Sequence, residues 1–151
     1  MQDIFLSDFS DERFQAAFRL YFAELGIEVK DWDGLWKEMN EDENAENHAY
    51  VRFCDDGRIA GFIQFCEMTM QSWFFEEKVG FVREFWVCGE MRGLGHGSVL
   101  LANAEDWFRQ RGIRKCLLTT DTAPGFYIMH GYHREEGVCA RNRDDVYVKM
   151  L

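Results

Sequence analysis

Residues 92–97 read Arg92-Gly93-Leu94-Gly95-His96-Gly97, with Ser98 next, where a strand-like stretch gives way to a helical one. Residues 78–88 are β-rich, and Leu100, Leu101, Ala104, Trp107 and Phe108 then form a helical apolar stripe that stops at Gly112. The three glycines leave backbone N–H groups uncovered by any Cβ. Those groups sit at a helix N-terminus, where the helix dipole favours negative charge. Two familiar phosphate loops do not fit. The dinucleotide pattern G-x-G-x-x-G requires a third glycine where Ser98 stands, and no Lys-Ser/Thr follows the glycines as a P-loop requires. The pattern that fits is R-x-x-G-x-G, through Arg92, Gly95 and Gly97. Taken alone, the hexapeptide also reads as an ordinary glycine turn.

Working outward, residues 3–8 suit a short strand. Phe14, Ala17, Phe18, Tyr21, Phe22 and Leu25 mark an amphipathic helix, with Ser10 a plausible N-cap and Gly26 its end. Trp32, Leu35, Trp36 and Met39 repeat the pattern in a shorter helix, and the acidic stretch 41–47 reads as loop. Residues 49–54 and 58–69 are β-rich and flank Asp55-Asp56-Gly57, a hairpin signal. Residues 71–77 form a loop or hairpin tip before the strand 78–88. A helix over 95–111 leads to a strand at 113–119. Pro124 suits the first turn of another helix ending at Gly131, and 132–138 with 144–150 suits a closing hairpin. The order βααβββαβαββ predicts a mixed α/β (α+β) fold with one βαβ crossover.

The chain has 151 residues, which predicts a single domain, 1–151. Hydrophobic residues make up 47%, enough to bury a core without staples, and a single Pro argues against linkers. The N-terminus lacks a basic region and a long apolar run, so no signal peptide or membrane span is expected. Five cysteines without C-x-x-C spacing suggest free thiols in a reducing cytoplasm. A net charge of −10 argues against nucleic-acid partners and means that an anionic ligand needs a locally basic site. Arg92, His96 and the cluster Arg109, Arg111, Arg114 and Lys115 are candidates, although the cluster also reads as a solvated helix end.

A second motif stands downstream. Residues 120–132 read Thr-Asp-Thr-Ala-Pro-Gly-Phe-Tyr-Ile-Met-His-Gly-Tyr. With R-x-x-G-x-G, this stretch resembles the GNAT superfamily of acyl-CoA N-acyltransferases. That family carries Q/R-x-x-G-x-G/A between its fourth strand and third helix, and often Asn-x-x-Ala-x-x-x-Tyr-x-x-x-Gly-Phe after its fifth strand. Ala123, Tyr127 and Gly131 match in register, Tyr132 stands for the Phe, and Thr120 replaces the Asn. The resemblance is specific over about 82–133. It implies a GNAT-like central mixed sheet of six to seven strands with four helices.

It further implies an N-acetyltransferase that passes an acetyl group from acetyl-CoA to a primary amine by direct attack in a ternary complex. The implied coenzyme site comprises Phe85, Trp86 and Val87 beside a gap between two splayed strands, then Arg92, Gly93, Leu94, Gly95, His96, Gly97 and Ser98, with Thr120 and Tyr127 along the arm. The Val87 N–H is the implied oxyanion donor. Tyr127 is the implied general acid, because a phenol stays protonated at neutral pH. Glu84 is the candidate base, alone or through a water chain. Each has a plainer reading: Tyr127 as one face of a short helix, Glu84 as a solvent-facing strand residue paired with Arg83 or Arg52. A non-catalytic acyl-CoA sensor or degenerate subunit is the alternative function, and a homodimer is compatible with the family.

The acceptor site is expected at Trp32, Trp36, Trp73 and Phe74, although Trp32 and Trp36 also suit a core. Acidic stretches at Glu41-Asp42-Glu43, Glu46, Glu76-Glu77 and Glu135-Glu136 suggest a small, positively charged, amine-bearing acceptor if 31–47 and 70–78 form the mouth. His130-x-x-His133 offers only two ligands, so no metal is expected.

Overall fold

The computed structural model describes residues 1–42 and 45–151. Glu43, part of one acidic stretch named above, lies outside them. Seven strands form one sheet in the order β1-β2-β3-β4-β5-β7-β6. These are β1 (Gln2–Leu6), β2 (Glu46–Phe53), β3 (Ile59–Gln71), β4 (Glu76–Val87), β5 (Lys115–Thr120), β6 (His133–Arg134) and β7 (Asp145–Met150). The helices are α1 (Glu12–Leu25), α2 (Trp32–Asn40), α3 (His96–Gln110) and α4 (Pro124–Met129). This is the element order expected from the periodicities.

Helix α1 starts one residue later than the Ser10 cap predicts. Asp11 is the N-cap, its carboxylate accepting from the Arg13 N–H at 2.9 Å, and Gly26 closes the helix in the left-handed region. The apolar stripe of α1 packs Phe14, Ala17 and Phe18 with Trp36 of α2 against Ala49, Val51, Phe62 and Trp86. On the other sheet face, Leu100, Leu101, Ala104 and Phe108 of α3 cover Ile63, Phe65, Val82, Cys116 and Leu118. Each fully buried Phe or Leu contributes about 1.5–3 kcal/mol relative to exposure. The sheet is therefore buried on both faces, which makes β3 and β4 apolar on both sides near their centres.

Among the described residues, strands β4 and β5 are the one parallel pair, joined by α3, and they pair only at Gly80↔Cys116 and Phe81↔Leu117. Gly80 has to lack a side chain, since a Cβ there would stand 2.7–2.8 Å from the Phe108 ring. The ring presses directly onto the paired rung. Beyond it the strands separate, and the sheet opens from Val82 and Leu118 onward. On the far side, β5 pairs with β7 along its whole length.

Candidate active site

The open part of the β4–β5 junction encloses a cavity of about 310 Å³. A larger hollow of about 520 Å³ lies elsewhere, between the ends of β1 and α2, the start of β2 and the Glu67–Thr69 part of β3, away from the strand gap and the glycine turn. The β4 wall is shaped by a bulge. Ile63 faces Phe85 and Phe65 faces Val82, so Arg83 and Glu84 together oppose Gln64. Val82 and Phe85 thereby both pack toward α3, while Arg83 and Glu84 both face α1 and α2. Strict alternation would have separated these consecutive charges.

Glu84 is not a solvent-facing strand residue, and neither Arg83 nor Arg52 pairs with it. Arg83 donates to Asp42 at 2.8 Å and Asn47 at 2.9 Å, and Arg52 to Asp3 at 2.7 Å. The partner of Glu84 is Tyr21 of α1, whose hydroxyl donates to Oε2 at 2.8 Å. Burial raises the pKa of Glu84, opposed by that hydrogen bond and by the charge of Arg83. The Tyr21 phenol is itself pushed up, by burial first and the carboxylate second. The sequence showed Tyr21 only as one position of an apolar stripe. The clue available was that a buried tyrosine hydroxyl needs a partner.

Tyr127 enters the same cavity from α4, on the opposite sheet face. It is 8% exposed, packed by Phe85, Phe126 and Tyr132. Burial raises its pKa, and its hydroxyl has no hydrogen-bond partner among the described residues. Thr120 lines the cavity too, but its Oγ1 accepts from the Ala123 N–H at 3.1 Å and so turns the chain into α4.

Backbone directions along β4 follow from one bond. The Cys88 N–H donates to Ala60 O of β3, and alternate residues of an antiparallel strand point to alternate neighbours. Trp86 therefore spends its backbone on β3, and its indole packs under α1 with Nε1 donating to Glu24. Trp86 thus offers the gap nothing, contrary to the sequence expectation. Phe85 turns its N–H and C=O toward the gap, as Val87 does its N–H, while the Val87 C=O accepts from Arg92.

At the glycine turn, Gly93 and Gly95 have φ of +80° and +90°, the left-handed region that glycine enters freely. Gly95 caps α3 and has no side chain to offer, so the first-turn N–H groups of His96, Gly97 and Ser98 lack a side-chain partner. Leu94 is 71% exposed beside them. Two side chains depart from the expected arrangement. Arg92 folds back, donating from Nε to Val87 O at 3.0 Å and to Glu24 at 2.7 Å, so its charge is already paired. His96 is buried, its Nδ1 accepting from Arg52 at 3.1 Å, which leaves only its backbone at the turn. Sequence reading missed the clamp behind the turn. His130 Nδ1 lies 2.8 Å from Phe126 O, and Nε2 lies 2.9 Å from Ser98 Oγ, tying α4 to the first turn of α3.

His130 and His133 do not converge, since His133 faces Glu135, and no metal-ligand cluster exists among the described residues. The basic cluster is a helix end: Arg109 pairs with Asp106, and Arg111 with Glu67 and the Trp107 ring. The expected acceptor wall is not assembled either. Trp36 is core, and Trp32 stacks on it at 5.2 Å beneath Arg19. Trp73 and Phe74 are 98% and 96% exposed at the β3–β4 hairpin tip. The strand from Glu76 to Glu84 spans roughly 26 Å at about 3.3 Å per residue, which carries the tip far from the cavity. Glu76 and Glu77 travel with it and do not line this cavity.

The family model of the GNAT acetyltransferases matches residues 2–135. The chain belongs to the GNAT acetyltransferase family. Solved structures share the GNAT fold at low identity. A protein from Lactobacillus plantarum assigned as an N-acetyltransferase is 21% identical, with TM-score 0.67, covering 99% of this chain and 97% of that one. The NatC complex bound to Gag peptide and CoA gives 18% identity and TM-score 0.66, over 100% and 99% of the two chains. The PaiA N-acetyltransferase of Thermoplasma acidophilum, in complex with coenzyme A, gives 16% and 0.60, over 100% of both. No match was found among curated protein sequences. Among the described residues, no helix is long and apolar enough to cross a membrane.

Proposed function

We propose that this GNAT protein transfers an acetyl group from acetyl-CoA to a primary amine, by direct attack within a ternary complex. The observation that carries this reading is the cavity through the open β4–β5 junction, where Glu84 from one face of the sheet and Tyr127 from the other meet. The uncapped N–H groups of residues 96–98 suit a pyrophosphate. The backbone of Phe85 and Val87 suits the amides of a pantetheine arm laid along β4 like an added strand. Five free thiols suit a reducing cytoplasm.

Glu84 takes a proton from the ammonium group, directly or through water, and its raised pKa brings its basicity closer to neutrality. The freed amine nitrogen forms a bond to the thioester carbon. The Val87 N–H faces the gap and stabilises the oxyanion that develops. As the C–S bond breaks, Tyr127 donates its phenolic proton to the leaving thiolate; the nitrogen gives up its second proton, which restores the Tyr127 phenol through water, Glu84 releases its proton to solvent, and the thiol and the N-acetylated amine depart. A phenol held neutral by burial, with no internal acceptor, is suited to that donation.

Thiol release from acetyl-CoA across a panel of primary amines tests the reading. Amine-dependent release supports it. Tight acetyl-CoA binding with no release from any amine would instead favour the non-catalytic sensor.

A further inference from the structure

The cavity holds more negative charge than its chemistry needs. Besides Glu84 it is lined by Asp121 and Asp144, which the acyl-transfer step does not use, and by one cation, Arg83. Arg83 is committed to Asp42 and Asn47. Asp121 is the first residue after β5, and Asp144 the last before β7. The final rung of that pair is Thr120↔Asp145, so Asp121 and Asp144 leave the two strands side by side, at the same end of the pair and on the same cavity. Like charges facing each other across a strand pair are destabilising. No cation relieves them among the described residues: Asp121 has no partner, and Asp144 accepts only from its near neighbour Asn142, at 2.9 Å. The same cavity contains a second polar group without a partner: Tyr127 is 8% exposed, and its hydroxyl makes no hydrogen bond among the described residues. An unpaired acid pair at the rim and a carboxylate at Glu84, beside a lining cation already committed elsewhere, describe a site shaped for a positively charged guest.

We propose that the acceptor carries a second positively charged group besides the amine that is acetylated, and that Asp121 and Asp144 hold this second charge while the reactive amine reaches Glu84. The proposal rests on the acyl-transfer reading and specifies its substrate as a diamine or longer polycation. Charge on the general surface is not the determinant, because the acidic stretches at 76–77 and 135–136 do not line the cavity. The two aspartates set specificity through binding and touch none of the reacting atoms.

The test is kcat/KM for straight-chain monoamines and diamines of equal carbon number, with wild type, Asp121→Asn and Asp144→Asn. Wild type should prefer the diamine by about tenfold, the worth of one charge-assisted contact, and the preference should shrink as salt rises. Each Asn variant should erase the preference through KM and leave monoamine turnover unchanged. Loss of like-charge repulsion should leave Tm equal or higher, which shows that the variants fold. Equal wild-type rates for the two amine classes, or Asn variants that slow both classes alike, would overturn the proposal and leave acyl transfer standing. Stabilisation of wild type but not Asp121→Asn by Ca²⁺ or Mg²⁺, without a diamine preference, would also overturn it, by making the pair a metal site. Absence of thiol release with every amine would remove the acyl-transfer reading and this inference with it.

Discussion

Tyr21 and Tyr127 reach one cavity from opposite faces of the sheet, and their surroundings differ in a way that separates their roles. Tyr21 comes from α1, is half-buried, and has its hydroxyl bonded to Glu84 at 2.8 Å. Tyr127 comes from α4, is more deeply buried, and its hydroxyl is bonded to nothing among the described residues. Burial raises both phenols, so both stay protonated near neutrality. A proton already shared with a carboxylate orients that carboxylate. A proton with no internal acceptor remains available to a leaving group. Tyr21 is therefore a positioning residue in this account, and Tyr127 the acid.

Replacing each tyrosine with phenylalanine separates the two roles. Tyr127→Phe keeps the ring packing and removes the donor, so kcat should fall about 10²–10⁴-fold with little change in acetyl-CoA affinity, measured where chemistry limits turnover. Unchanged kcat would make Tyr127 a packing residue. Because its phenol is raised above the ordinary range, Tyr127 should give no basic limb near neutral pH.

Tyr21→Phe should act more gently and on a different observable. Glu84 works as a base only when ionised, and burial already raises its pKa. The acid limb of kcat/KM should thus lie above the ordinary carboxylate range, with activity lost as pH falls through it. Removing the Tyr21 hydroxyl takes away a bond that favours the ionised form. The limb should move further up, by about one pH unit or less after screening in this half-buried site, with the high-pH plateau largely kept. A limb that does not move would show that the Tyr21–Glu84 bond is not coupled to proton abstraction.

The same contrast explains what could be read in advance. α4 and its Tyr127 belong to a spaced motif, Ala123, Tyr127 and Gly131, and α3 to the glycine turn, so the local sequence placed them. Tyr21 and Glu84 are 63 positions apart and meet only through the bulge that turns Glu84 toward α1. No local periodicity encodes a bulge. The like-charge pair Asp121 and Asp144 similarly depends on the β5–β7 register. Arg92 and His96 are the opposite case. Their sequence position at the turn is right, yet Glu24 and Arg52, brought in from distant elements, draw both side chains away from it. Trp73 and Phe74 stand just before β4 in the sequence, and the length of the hairpin carries them to its far end.

All of these roles presuppose that the turn at 92–98 receives the phosphate end of the coenzyme. Gly95 offers a clean measurement, since Asp and Asn both tolerate its left-handed conformation and differ by one charge. Calorimetric titration with acetyl-CoA should show Gly95→Asn binding near wild type and Gly95→Asp binding roughly five- to tenfold more weakly, with the difference shrinking as salt rises. Equal affinity for the two folded variants would contradict the account, because a new negative charge beside the bound pyrophosphate has to be felt.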